Sequence, residues 1–157
     1  MTRPTCEPLR IISPIHRTLR RLGTHLDARS RELGLRGQDA HLLAYLTFYG
    51  PCTVSRLGEV FGHKPSTLTS MLDRLESDGY LVRRPNPDDR RSFRVDTTAA
   101  GTELGRRSRR VAEGCEAEIL ARITADDLAG FDRVLAAVEA AIAARAEKPS
   151  PLERKDP

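Results

Sequence analysis

Apolar residues recur at helical spacing along most of the chain. In the first stretch they follow one another at intervals of three and four residues, at Leu9, Ile12, Ile15, Leu19, Leu22 and Leu26. A stripe with this spacing lies on one face of an α-helix. The pattern predicts a first helix that begins between residues 8 and 14 and ends at Gly34, where a left-handed cap is expected.

Three more helices are predicted before the pattern changes. A second helix is expected over residues 38–49, and Thr53 is a suitable N-cap for a short third helix that ends at Gly62. Pro65 opens a fourth helix, which ends at Gly79. The apolar positions of the fourth helix are Leu68, Met71, Leu72 and Leu75. Two helices joined by a short turn that contains Gly are typical of a helix-turn-helix.

A β-hairpin pattern follows the fourth helix. Residues 80–84 and 92–96 are predicted as strands, and residues 86–89 as the turn between them. This predicts a two-stranded wing, which must pack on the helices because an isolated hairpin is marginally stable in water. Two long helices come next, the fifth capped by Thr98 and the sixth by a capping box that begins at Thr124.

The predicted fold class is mainly α with a small β-wing, a winged helix-turn-helix flanked by N- and C-terminal dimerisation helices. The parts are a DNA-binding domain over 38–97, a helical dimerisation region over 8–34 and 99–146, and flexible tails over 1–7 and 148–157. The flanking helices carry apolar stripes but few large side chains with which to build a separate core. Burial against a second copy, across a twofold interface, is the simplest solution, so we expect a homodimer. The alternative is that these helices fold back on the central domain.

Composition narrows the class of protein. The chain has 157 residues, of which 39% are hydrophobic and 31% charged, as expected for one soluble domain. No apolar run approaches the roughly 18 residues that cross a bilayer, so no membrane partner is expected. The three cysteines, Cys6, Cys52 and Cys115, are odd in number and far apart, which excludes a disulfide framework and favours the cytoplasm.

The start of the fourth helix carries the residue types that bind DNA. Its outward positions hold small hydroxyl side chains that can hydrogen-bond phosphates or base edges while the helix enters a groove. The candidates for major-groove and phosphate contacts are Lys64, Ser66, Thr67, Thr69, Ser70 and Arg74. Hydroxyl residues also favour any first helical turn, which explains one or two of them but not four after a lysine.

The predicted wing holds the remaining candidates for DNA contact. Arg90, Arg91 and Arg94 lie at or after the turn, and arginine is attracted to the negative potential of a narrow minor groove. Asp89 is expected to hold Arg91 or the turn backbone through charge-assisted hydrogen bonds. The alternative for this segment is a solvated charged turn.

Four segments together resemble the winged helix-turn-helix of the MarR family. They are residues 53–59, 65–69, 72–81 and 86–91. An Asp-x-Arg wing element falls on Asp89 and Arg91, and a following Thr-x-x-Gly element on Thr98 and Gly101. The resemblance implies a dimeric bacterial transcriptional regulator, usually a repressor, that releases its operator when a small ligand or an oxidant is sensed. It also implies that the fourth helix enters the major groove and the wing arginine the minor groove.

The fourth helix, which the resemblance makes the recognition segment, looks closest to the peroxide-sensing OhrR branch of that family. That branch has a reactive cysteine early in its first helix, and the corresponding position lies near Ile11. A redox-sensing regulator that uses Cys52 or Cys6 is therefore an alternative function. Cys52 comes just before the third helix, whose N-terminus could stabilise a thiolate. Cys115 lies in an apolar stripe and is expected to act as a small hydrophobic residue.

No motif in the sequence indicates an enzyme. The four histidines lack metal-ligand spacing, and nucleophile elbows and glycine-rich phosphate loops are missing. We therefore expect no catalytic residue, metal or cofactor. The predicted function is a regulator that binds pseudo-palindromic double-stranded DNA as a homodimer and is released by a small-molecule effector between the first, second and fifth helices. A winged-helix module that docks other proteins instead of DNA is the competing class.

Overall fold

The computed structural model describes residues 9–146, and the two predicted tails lie outside this range. The described chain contains six helices and three strands. In order they are α1 (Ile12–Glu32), α2 (Gly37–Tyr49), β1 (Cys52–Thr53), α3 (Val54–Phe61), α4 (Pro65–Ser77), β2 (Leu81–Asn86), β3 (Asp89–Thr97), α5 (Ala99–Leu120) and α6 (Ala125–Ala146). The predicted fold class, mainly α with a small β-wing, is confirmed, and the role of the flanking helices in dimerisation stays a prediction.

Local capping chemistry sets several helix boundaries. The Thr53 hydroxyl accepts a hydrogen bond from the backbone N–H of Arg56 at 3.2 Å, which caps α3. Gly62 ends α3 with a φ of 60°, a left-handed conformation that glycine adopts without steric cost. At the start of α6, the Asp127 carboxylate accepts from the Thr124 N–H at 2.9 Å, and the Thr124 hydroxyl accepts from the Asp127 N–H at 3.2 Å. This reciprocal pair is the predicted capping box.

The predicted two-stranded wing is present as the antiparallel hairpin of β2 and β3, but the prediction missed a third strand of the same sheet, β1. β3 lies between β1 and β2 and pairs antiparallel with both, with Thr53 opposite Arg94 on the β1 side. The hairpin turn is Pro87-Asp88, shorter than the predicted 86–89, because the strands continue further towards the tip. A two-residue strand offers no alternation of polar and apolar positions, so the pattern contained no sign of β1.

A single hydrophobic core lies within residues 9–114, which form one of two compact units. Its fully buried side chains are Leu42, Leu43, Leu46, Leu57, Leu68, Leu72, Leu75 and Val95. They come from α2, α3, α4 and β3, so the helix-turn-helix and the root of the wing share one core. This core orients the exposed face of α4.

The first half of α5 approaches its neighbours closely at two glycines. A Cβ added at Gly105 would lie 2.7 Å from the backbone oxygen of Leu43 in α2. A Cβ added at Gly101 would overlap the backbone carbonyl of Tyr80. The Thr98 hydroxyl accepts from the Gly101 N–H at 3.1 Å and so caps α5, as predicted. The Thr-x-x-Gly element therefore combines a helix cap with a close backbone contact.

Apolar side chains on the flanking helices remain exposed. In the first unit, Leu19 of α1 is 61% exposed. In the second unit, which starts at residue 115, Phe131 of α6 is 54% exposed and Ile142 is 64% exposed. Within residues 9–146, no helix is both long enough and apolar enough to span a membrane.

Candidate nucleic-acid interface

The start of α4 presents five of the predicted contact residues to solvent. Lys64 precedes the helix, Pro65 is its first residue, and Lys64, Ser66, Thr67, Thr69 and Ser70 are all exposed. Their exposure follows from the burial of the opposite face in the core. The Ser70 hydroxyl donates to the backbone oxygen of Ser66 at 3.0 Å, which leaves its oxygen available as an acceptor.

The N-terminus of α4 has no side-chain cap. Lys64 occupies the N-cap position and, in the described chain, makes no capping hydrogen bond there. The N–H groups of a first helical turn have no acceptor within the helix, and they carry the positive end of the helix dipole. Phosphate oxygens are suitable acceptors for such groups. The local structure thus favours an anion beside the exposed hydroxyls.

Polar side chains organise the tip of the wing. Asp89 accepts a hydrogen bond from the backbone N–H of Arg91 at 2.9 Å, so it holds the turn backbone, one of the two predicted roles. The buried Asn86 donates from Nδ2 to the Ser92 hydroxyl at 2.9 Å and accepts from the Asp88 N–H at 3.2 Å. Arg91 itself is exposed. The described structure does not include the side chain of Arg90.

The structure places Arg94 at the root of the wing. Its Nη2 donates to the backbone oxygen of Pro51 at 3.1 Å, and the residue is half-buried opposite Thr53. The guanidinium therefore holds the loop before β1. This position separates Arg94 from the tip, where Arg91 lies.

Arg74 pairs with a buried acid. Its Nη2 donates to Oδ1 of Asp39 at 2.7 Å, and its Nε donates to Oδ2 at 3.1 Å. The side chain of Asp39 is 4% exposed and that of Arg74 is 30% exposed. The hydrogen bonds to Asp39 raise the pKa of Arg74 above its ordinary value. This guanidinium joins α4 to α2, and the predicted phosphate contact would compete with that ion pair.

Arg83 is an important residue that the sequence analysis did not select. From β2, it pairs with Asp73 at 2.6 Å and with Glu76 at 2.9 Å, both of which are on α4. The alternation of side chains along the predicted strand could have assigned Arg83 to one face of the sheet. It could not have shown that this face lies against α4. Helix α4 is therefore held by one ion pair to α2 and by two ion pairs to β2 of the wing.

The two cysteines in the described chain, Cys52 and Cys115, are free thiols. Cys52, in β1, is half-buried, and burial raises the pKa of its thiol more than the nearby Arg56 and Arg94 lower it. Cys115 is half-buried in α5, and Cys6 lies outside the described residues. A raised pKa reduces the thiolate fraction that oxidation requires.

The histidines pack with aromatic rings. The rings of His41 and Phe61 meet edge-on with 5.0 Å between their centroids, and the rings of His63 and Phe61 are stacked with 6.0 Å between their centroids. Burial and the charge of His63 lower the pKa of His41. Among the described residues, no group of three or more His, Cys, Asp or Glu side chains could hold a metal ion.

Comparison with known proteins finds similarity to one family over part of the chain. The MarR family model matches residues 37–93, from α2 to the middle of β3. The chain is similar to the MarR family over this segment. The uncharacterised HTH-type transcriptional regulator YcgE of Bacillus subtilis is 37% identical over 76 residues, which are 46% of this chain and 49% of that protein. The multiple antibiotic resistance protein MarR of Escherichia coli is 32% identical over 84 residues, which are 53% of this chain and 58% of that protein.

The matched region spans about half to three-fifths of these curated relatives. Solved structures extend the similarity of the fold. A mutant MarR from E. coli, complexed with operator DNA, matches with a TM-score of 0.69 and 27% identity, and the alignment covers 79% of this chain and 89% of that chain. The printed name of YcgE describes that protein as a transcriptional regulator. The narrower resemblance to the OhrR branch stays a prediction.

Proposed function

We propose that this protein is a DNA-binding transcriptional regulator of the cytoplasm, most simply a repressor. The observation that carries the proposal is the exposed start of α4, where a lysine and four hydroxyl residues surround an uncapped helix N-terminus. From Lys64 onwards, the first acidic residue is Asp73. A surface of this composition favours a polyanion. The similarity to a MarR structure that contains operator DNA supports the same function.

The proposed contacts fall on two elements. On α4, Ser66, Thr67, Thr69 and Ser70 contact the major groove and phosphates, and Lys64 contacts a phosphate. On the wing, Arg91 enters the minor groove, Arg90 lies beside it in the sequence, and Asp89 holds the turn. Arg74 and Arg94 are left out of this set because each guanidinium already holds a partner within the fold.

We further propose that the regulator is a homodimer that binds a pseudo-palindromic operator. Exposed apolar residues on α1 and α6, such as Leu19 and Ile142, support burial against a second copy. Twofold symmetry would place the two α4 helices about one DNA turn apart, roughly 34 Å. Sedimentation of the purified chain tests this directly, since a monomer at micromolar concentration would contradict it.

The experiment for DNA binding is a salt titration with the DNA upstream of the protein's own coding sequence. Arg91→Ala should weaken binding and reduce the slope of log K against log salt by about 0.9 per subunit, one phosphate equivalent. Arg122→Ala is the matched control, because it removes an exposed arginine outside residues 37–93. An unchanged slope in Arg91→Ala would exclude Arg91 from the contacts. A wild-type chain that fails to bind any duplex would favour the protein-docking alternative.

Release by a small effector is the remaining part of the proposal. The expected place is the crevice that α1, α2 and the first half of α5 line. A ligand there releases DNA only if it binds one arrangement of the helices better than the other. Addition of a phenol panel to the protein–DNA complex tests this, and full retention of DNA with every phenol would count against this ligand class.

A further inference from the structure

Three charged side chains join α4 to the wing. We call Asp73 and Glu76 of α4, together with Arg83 of β2, the Arg83 triad. Nη2 of Arg83 donates to Oδ1 of Asp73 at 2.6 Å, and Nη1 donates to Oε2 of Glu76 at 2.9 Å. The Arg83 side chain is 25% exposed, whereas the Arg56 side chain, which pairs within α3, is 61% exposed. The guanidinium of Arg83 is thus better shielded from water than that of an ordinary surface pair, whereas the side chain of Asp73 is 56% exposed.

The triad also holds the backbone of the wing. Oε1 of Glu76 accepts a hydrogen bond from the backbone N–H of Arg83 at 3.1 Å. β2 is an edge strand, and an N–H that points outward from such an edge has no neighbouring strand to bind. Glu76 therefore fixes the strand as well as the guanidinium. A change in the tilt of the wing would break both contacts together.

We propose that the Arg83 triad positions the wing relative to α4, so that the two elements reach the same DNA duplex in register. The inference rests on the proposed DNA-binding function. A duplex has a fixed separation between its major and minor grooves, so two contacts on separate elements require a fixed separation as well. Arg83 is thus a positioning residue, and its guanidinium is engaged by two carboxylates.

The net charge of the triad allows a positioning role to be distinguished from direct electrostatic attraction to DNA. It contains two carboxylates and one guanidinium, so its formal charge is −1 and it does not itself attract phosphates. Electrostatics alone predicts that Asp73→Asn with Glu76→Gln binds DNA more tightly, because two negative charges are removed. A positioning role predicts that the double variant binds its recognised DNA sequence more weakly, because the wing loses its fixed angle to α4. The two explanations therefore differ in sign.

The test compares the double variant with a control of equal charge. Binding is measured on the duplex upstream of the protein's own coding sequence and on a shuffled duplex of the same length and composition. The double variant should bind the upstream duplex about tenfold more weakly, the scale of one lost contact, and the shuffled duplex no more weakly than wild type. The control is Glu32→Gln with Glu59→Gln, which removes two acids that pair within single helices. It should not lose specific affinity.

Two single variants test the same inference with smaller changes to the triad. Asp73→Asn alone removes one of the two ion pairs of Arg83. The Asp73 side chain is 56% exposed, so this variant should fold and should lose part of the specific affinity. Arg83→Lys keeps the charge but cannot span both carboxylates, and its affinity should lie between those of wild type and the double variant. Unchanged or tighter binding of the upstream duplex by the double variant would overturn the inference alone. Failure of the wild-type chain to bind DNA would instead remove the proposed function and the inference with it.

Discussion

The contact between α5 and α2 can be tested with one substitution made at two places in the same helix. Gly105 and Gly114 both lie within α5. A Cβ at Gly105 would lie 2.7 Å from the backbone oxygen of Leu43 and would also collide with the Thr47 side chain. A Cβ at Gly114 would meet nothing within 4 Å. The same change to alanine should therefore have opposite effects on stability.

The magnitudes follow from two opposing contributions. Replacing glycine by alanine inside a helix gains about 1 kcal/mol, because the unfolded chain loses conformational freedom. At Gly105, the backbone of α2 cannot rotate away as a flexible side chain would, so α5 must shift, and overpacking of this kind costs about 3 kcal/mol. We expect a net loss of about 2 kcal/mol for Gly105→Ala and a gain of about 1 kcal/mol for Gly114→Ala.

Urea unfolding followed by far-ultraviolet circular dichroism measures both free energies. All three proteins are compared at one protein concentration, because a dimer makes the midpoint depend on concentration. The difference of about 3 kcal/mol corresponds to about 9 °C in melting temperature for a chain of this size. If Gly105→Ala were as stable as wild type, the close packing of α5 on α2 would be refuted.

Three other predictions concern the buried ion pair, pH and thiol chemistry. Arg74→Met should lower the free energy of unfolding by about 3 kcal/mol, since it leaves the Asp39 carboxylate buried without its partner; a loss below about 1 kcal/mol in urea unfolding would contradict this. The lowered pKa of His41 means that the unfolded chain binds that proton first, so stability that is complete above pH 6.5 is lost as pH falls through this value. Urea midpoints at neutral and mildly acidic pH should show a smaller decline in His41→Gln, and an equal decline would argue against this histidine. Because burial raises the pKa of Cys52, a disulfide reagent should label it more slowly than free glutathione at neutral pH, and equally fast labelling would revive the redox alternative.

Helical periodicity and capping residues were sufficient to predict the order of the helices. Thr53 and Thr124 cap α3 and α6 as expected, because an N-cap acts on backbone groups only two or three residues away. The same locality explains why the exposed face of α4 was predictable. Four buried positions on one side of a helix determine which residues face solvent.

Interactions between distant residues were not predictable from the sequence. Arg74 and Asp39 lie 35 positions apart, and nothing in the local pattern distinguishes an arginine that binds phosphate from one that pairs with a buried acid. Arg94 is a similar case, since its partner is a backbone carbonyl 43 positions away. Two-residue β1 was missed because its pairing is set by β3 rather than by its own composition.

Thr53 of the short strand β1 takes part in both the β-sheet and the N-cap of α3. Its backbone is paired with Arg94 in β3, and its hydroxyl caps α3. The inner end of the wing is consequently tied to the helix-turn-helix, while the turn Pro87-Asp88 and hydrogen bonds within the hairpin hold the outer end. Residues inserted at that outer turn would lengthen the reach of the hairpin without disturbing its base, so an engineered regulator could acquire a longer wing on an unchanged scaffold.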